Sequence, residues 1–169
     1  SIRTQINQGK YFMHLNRYNE SIIIFSKIID EHPNDPYAIN YIGFAYYFKE
    51  DYELAQHYFN TSLSLIEMGK EKANNFACPY EGLGMTYYKL NDIQKSIYYL
   101  NRSIYYRPGI TNDKYLYLYE ILIQSKKIDS ANVVLDNWLK FDNNNPHALI
   151  LNSVRKSVES KWIGDYTGA

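Results

Sequence analysis

The sequence predicts an all-α fold of stacked antiparallel helix hairpins, and three observations predict it. A small residue followed three positions later by an aromatic recurs in Gly9-Lys10-Tyr11-Phe12, Gly43-Phe44-Ala45-Tyr46 and Gly84-Met85-Thr86-Tyr87, with 34 residues from Gly9 to Gly43. Nine residues after each aromatic comes a small residue (Ser21, Ala55, Ser96), and four later a bulky one (Phe25, Phe59, Leu100). Helix-breaking prolines, Pro33 and Pro108, close two of these units. A small side chain on each of two helices lets them approach closely, and the large ones fill the space beside that contact.

Taken in order, the first hairpin covers about 2–35, the second 36–69 and the third 77–110, with polar turns at Asn16-Arg17-Tyr18-Asn19, Lys49-Glu50-Asp51-Tyr52 and Leu90-Asn91-Asp92-Ile93. Each turn carries an Asn or Asp able to cap the helix that follows. Gln5 and Gln8 stand where the next two units have Ile39 and Ile42, then Tyr80 and Leu83, so the first helix reads as an exposed starting face. Gly43 to Gly84 is 41 residues, longer than the regular period, which predicts a lengthened helix ending near Gly69 and an insertion at 70–76 before Cys78-Pro79 restarts the next helix. A fourth unit, 112–145, keeps Ala131, Leu135 and Trp138 at the positions of Ala55, Phe59 and Ser62. Tyr119 replaces its glycine, which predicts a splayed or wider hairpin. A helix over 146–162 follows, with Ile150, Val154 and Val158 on one stripe, read as a cap over the last hairpin. Residues 163–169 are left as a tail, and the whole of 1–169 is taken as one domain.

The pattern Leu-Gly-x-x-Tyr, Ala-x-x-x-Phe, Pro at a period of about 34 resembles the tetratricopeptide repeat. The resemblance implies a right-handed superhelical solenoid of about four repeats with a capping helix, and a partner segment bound along the first helices of the hairpins. Transferred by register, groove-facing positions fall on Arg3, Ile6, Asn7, Lys10, Met13 and His14 in the first unit and on Tyr37, Asn40, Tyr41, Phe44, Tyr47 and Phe48 in the second. The third unit contributes Glu81, Met85, Tyr88 and Lys89, with Cys78 and Gly82, and the fourth contributes Tyr117 and Glu120 with Asp113, Leu116, Ile123 and Gln124. This groove is rich in tyrosine, which suits a partner with apolar anchors. The two-carboxylate clamp of the same family is missing, because its positions hold Ile6, Lys10, Tyr41, Cys78 and Gly82 and leave one cation.

Composition excludes several other classes. Eighteen basic and eighteen acidic side chains cancel, so nothing in the net charge draws in nucleic acid or an anionic membrane. No run approaches the roughly 20 apolar residues of a membrane span. The single Cys78 rules out an internal disulfide, and the expectation is a soluble chain, cytoplasmic rather than secreted. His14, His32, His57 and His147 have no metal-ligand spacing, and no phosphate loop or nucleophile elbow is present, so the chain reads as non-enzymatic, with no metal and no cofactor. Asn19-Glu20-Ser21, Asn60-Thr61-Ser62 and Asn101-Arg102-Ser103 match a glycosylation acceptor but fall within predicted helices. The 19 tyrosines reflect either surfaces that bind or an AT-rich coding bias. The function expected is a protein-interaction scaffold. Two alternatives stand beside it: a sensor domain of a larger protein, resembling the peptide-pheromone receptors of Gram-positive bacteria, and a self-assembling module that pairs through the terminal helix, with Trp162 in its last turn.

Overall fold

Hairpin formation starts from local signals at the helix ends. In the computed structural model, which describes residues 1–69, 77–108 and 113–167, with the side chains of 113 and 162–167 excepted, nine helices and no strand occur among the described residues. They are α1 (Ile2–His14), α2 (Tyr18–Glu31), α3 (Pro36–Phe48), α4 (Tyr52–Met68), α5 (Ala77–Lys89), α6 (Ile93–Tyr106), α7 (Asp113–Gln124), α8 (Ile128–Phe141) and α9 (Pro146–Thr167). The Asp35 carboxylate accepts the Tyr37 and Ala38 amides at 2.9 Å ahead of α3. Asp51 and Asp92 do the same for Leu54 and Lys95 at 3.2 Å, and the Asn145 side chain accepts from Ala148 at 3.2 Å. Each cap satisfies amides that a helix start leaves without a partner, about 1 kcal/mol apiece.

The turns inside the hairpins share a backbone device. Asn16, Glu50, Asn91 and Lys126 occupy the same register in the four turns, and all four adopt positive φ, between 58° and 64°. Asn tolerates this left-handed conformation better than most residues, whereas Glu50 and Lys126 hold it against their side chains.

The chain divides into two compact units, Ser1–Arg107 and Pro108–Ala169. In the first, Phe25, Ile28, Ala38 and Ile42 form a buried cluster that Ile2, Ile6, Met13, Ile29, Tyr41, Tyr46 and Tyr58 pack against. Phe59 is the second hairpin's counterpart of Phe25 and is fully buried. A β-carbon on Gly43 would lie 2.8 Å from its ring, and one on Gly82 of α5 would run into the same ring. Phe59 therefore has glycine on two sides, and both helices can close on it only because those side chains are absent. Serines tie the hairpins: Ser62 donates to the Pro36 carbonyl at 2.7 Å, Ser96 to the Gly84 carbonyl at 2.7 Å and Ser103 to the Ala77 carbonyl at 2.9 Å. The serines of all three glycosylation-like triplets are buried within helices, which accounts for them structurally.

The exposed starting face follows its sequence pattern. Gln8 is exposed and Gln5 half-buried, whereas Ile39, Ile42, Tyr80 and Leu83 are buried. Helix α4 runs three residues longer than α2, 17 against 14, and stops before Gly69. The insertion placed at 70–76, the helix start at Asn112, and the side chains of Asp113 and Trp162 lie outside the described residues.

In the second unit, Tyr115 stacks on Trp138 with centroids 5.9 Å apart and planes 10° apart. Tyr119 is half-buried, and the seam between α7 and α8 is the least extensive of the four hairpin seams. Helix α9 differs from its sequence reading in two ways. It continues to Thr167, past the end expected at 162. Its stripe of Ile150, Val154 and Val158 is exposed, Ile150 by 62%, while Ala148 is the buried residue and Arg155 pairs with Asp136 of α8 at 2.8 Å. The reason is register: counted from Pro146, the three residues occupy positions five, nine and thirteen, which are groove positions rather than positions that meet the preceding helix.

Candidate functional site

The residues counted as groove-facing do not share one environment. Lys10, Met13 and His14 from α1 and Tyr41 and Phe48 from α3 converge on a pocket of about 350 Å³, completed by Asn16 and Tyr18 from the turn into α2. Its walls are held by contacts behind them. Tyr41 stacks on buried Phe25 with centroids 5.1 Å apart and planes at 15°. Tyr18 stacks on Phe48 at 5.7 Å and 16°, and its hydroxyl donates to Asn16 Oδ1 at 2.8 Å. The Lys10 ammonium sits 5.5 Å from the centre of the Tyr41 ring. Rings fixed from behind present apolar surface at little further entropic cost, the arrangement typical of interaction hot spots.

The other groove-register residues go elsewhere. Tyr37 lines a shallow cleft with His32, Pro33 and Asp35 at the opposite end of α3. Asn40 is buried, 5% exposed, and its Oδ1 accepts no hydrogen bond from the described residues. Phe44 packs edge-on against Phe59 at 4.9 Å, and Tyr47 is buried between Phe48 and Tyr52. Glu81 and Met85 are buried, Tyr88 is half-buried and Lys89 exposed. In the second unit, Tyr117 is half-buried and Glu120 exposed.

A second aromatic concentration, which the groove register does not describe, lies on α5 and α6. Tyr87 and Tyr99 stack at 5.4 Å and 3°, Tyr80 and Tyr106 at 5.6 Å and 2°. The Arg102 guanidinium lies 5.5 Å from the Tyr80 ring centre, 5.1 Å from that of Tyr106 and 5.9 Å from that of Tyr105, and donates to the Tyr106 hydroxyl at 2.9 Å. Lys95 covers Tyr87 at 4.9 Å, and Gln56 of α4 donates to the Tyr87 hydroxyl. Burial raises the Tyr80 and Tyr99 phenols above their ordinary range. Spacing in the sequence could have signalled this block: Tyr99 and Tyr106 are seven apart, two turns of one helix face.

Among the described residues no group of His, Cys, Asp and Glu is placed to hold a metal, and no helix is long and apolar enough to cross a membrane. The Cys78 sulfur accepts a 3.8 Å contact from Arg107.

A family model described as a tetratricopeptide repeat matches residues 79–110, the third hairpin. The third hairpin thus carries the tetratricopeptide-repeat signature. Among curated proteins, the chain is 26% identical over 152 residues to the anaphase-promoting complex subunit CDC16 of Saccharomyces cerevisiae, a match covering 89% of the chain and 18% of that relative. It thus spans less than a fifth of the curated relative's length. Among solved structures it superimposes on a chain of the APC/C hetero-tetramer Cut9–Hcn1 with a TM-score of 0.78 at 19% identity, covering 89% of this chain and 29% of that one. It also matches the first tetratricopeptide domain of Spaghetti (RPAP3) bound to an HSP90 peptide, with a TM-score of 0.63 at 16% identity over 74% of this chain and 95% of that one. These likenesses establish the fold of stacked helix hairpins.

Proposed function

We propose that the chain is a non-catalytic protein-interaction scaffold whose partner segment lies against the groove side of α1 and α3, with an apolar residue of the partner in the pocket between them. The observation that carries this reading is the pocket itself. Tyr41 and Phe48 are braced from behind by Phe25 and Tyr18, yet face open volume. A ring that served only the core would be covered, as buried Tyr47 is between Phe48 and Tyr52. The family resemblance supports the same face, and the RPAP3 domain was solved with a peptide bound.

The test is capture of partners on the immobilised chain from lysate of its native organism, with identification by mass spectrometry, using the parent, Phe48→Ala and Tyr41→Ala in parallel. The same protein should be recovered with the parent and lost with both variants, while their thermal unfolding stays cooperative. Unchanged recovery would remove the groove from consideration. A second reading, self-association through α9, is favoured by the exposed stripe of Ile150, Val154 and Val158. Light scattering at two concentrations, with Val154→Glu as the control, separates it from the first.

A further inference from the structure

The α1 and α3 pocket has a chemical polarity beyond being apolar. Its two titratable side chains outside the tyrosines are Lys10 and His14, and no carboxylate lines it. Lys10 forms no ion pair with the described residues; it is held over the Tyr41 ring at the edge of the cavity. Of the acids in the adjoining turns, Glu50 is exposed and does not line the pocket, and two others are committed. Glu20 is engaged by Arg17 at 2.8 Å, and Asp51 caps α4 through the Leu54 amide. Asn16 has its Oδ1 occupied by the Tyr18 hydroxyl, which leaves its amide N–H groups as donors at the rim. Lys49, next to Phe48, is held away from the lining, donating to Asn19 and lying over Tyr46. The cavity thus joins an aromatic floor to a rim of donors and a cation.

From this complementarity we infer that the pocket recognises a protein segment in which a large apolar residue is flanked by carboxylates, the apolar side chain entering between Met13, Tyr41 and Phe48 and a carboxylate meeting Lys10. The inference rests on the groove reading and specifies its partner. A neutral flank would strip water from Lys10 without replacing it, and a basic flank would repel it. A volume of about 350 Å³ is at the small end of ligand pockets, so one or two side chains fill it and the rest of the segment stays outside. The cation–π contact holds Lys10 where the charge is wanted, which lowers the entropy lost when the carboxylate arrives.

The test uses the full chain and three fluorescein-labelled peptides: Glu-Glu-Leu-Phe-Glu-Glu, and the same peptide with Gln or with Lys in place of every Glu. Fluorescence anisotropy should give binding at least about fivefold tighter for the Glu peptide than for the Gln peptide, the scale of a single partly exposed charge contact, with the Lys peptide weakest. The preference should shrink as salt is raised. Lys10→Met keeps the stem and removes the charge, so it should bring the Glu-to-Gln ratio close to one. Phe48→Ala should weaken both at least about tenfold. Equal binding of Glu and Gln peptides, or a ratio that survives Lys10→Met, overturns the acidic flank while leaving the groove in place. Failure of all three peptides to bind also overturns it. The groove reading falls separately, if captured partners bind Phe48→Ala as well as the parent.

Discussion

Two regions of the first unit are made of the same materials, aromatic rings and a cation, and use them differently. On α5 and α6, Tyr80, Tyr87, Tyr99 and Tyr106 stack pairwise within 3° of parallel, and Arg102 is spent among them. Between α1 and α3, Tyr41 and Phe48 are each stacked on one ring and still line a cavity, with Lys10 over Tyr41 at its edge. Rings that satisfy one another build a rigid wall; rings held mainly from behind leave a cavity. Tyrosine abundance by itself therefore does not distinguish scaffold from site. What separates them is whether the second face of the ring, and the charge beside it, already has a partner.

The largest effect that should separate the two regions is on stability. Tyr80→Ala removes a buried ring from the block and should cost about 3 kcal/mol, read from the urea midpoint, whereas Phe48→Ala, half-exposed at the pocket, should cost about 1 kcal/mol or less. Equal losses would erase the distinction. Gly82→Val should follow at about 2 kcal/mol, because its side chain meets the Phe59 ring where α4 and α5 close. A neutral Gly82→Val would mean that Phe59 can turn away and that the seam is loose. Smaller again, Arg102→Met should lose about 1 kcal/mol of stability through its hydrogen bond and ring contacts and leave peptide binding unchanged, the reverse of Lys10→Met.

The smallest expected effect adds a third aromatic setting. Tyr115 in the second unit stacks on Trp138, and its hydroxyl meets no hydrogen-bond partner among the described residues. Burial pushes its phenol up to about 12 from the ordinary 10.0. Since the folded state holds the proton more tightly, this contribution is complete below pH 10 and is lost as the pH rises towards 12. Tyr115→Phe should be within about 1 kcal/mol of the parent at neutral pH, or more stable. Urea titrations at neutral and alkaline pH should show the parent losing more stability than the variant across that window; equal losses would place the phenol in contact with water.

Much of the fold was legible in the sequence because a repeat states the same local instructions several times. The period located the hairpins, and Asp51 and Asp92 stood where caps were needed, whereas in the first turn Arg17 precedes α2 and no side chain caps it. Gln5 and Gln8 read as an open face by comparison with Ile39 and Ile42. Register also brought Lys10, Met13, His14, Tyr41 and Phe48 into one set, and these five line the pocket. The same count placed Asn40, Tyr47, Glu81 and Met85 in that set, and they are buried. Register specifies an angle around a helix; whether the adjoining helix covers that angle depends on how closely the pair packs.

Helix α9 shows the same division. Its apolar stripe was visible as a pattern, but apolarity says only that a face is costly in water, and the packing on α8 turned Ala148 and Arg155 inward instead. What the sequence by itself determined here is local and repeated: helix ends, turn conformations, and which residues share a face. Which tyrosines stay open, where a cavity remains, and which cation has no partner were decided by tertiary structure. These depend on the distance between helices, which is set by contacts such as Phe59 between Gly43 and Gly82, from residues far apart in the chain.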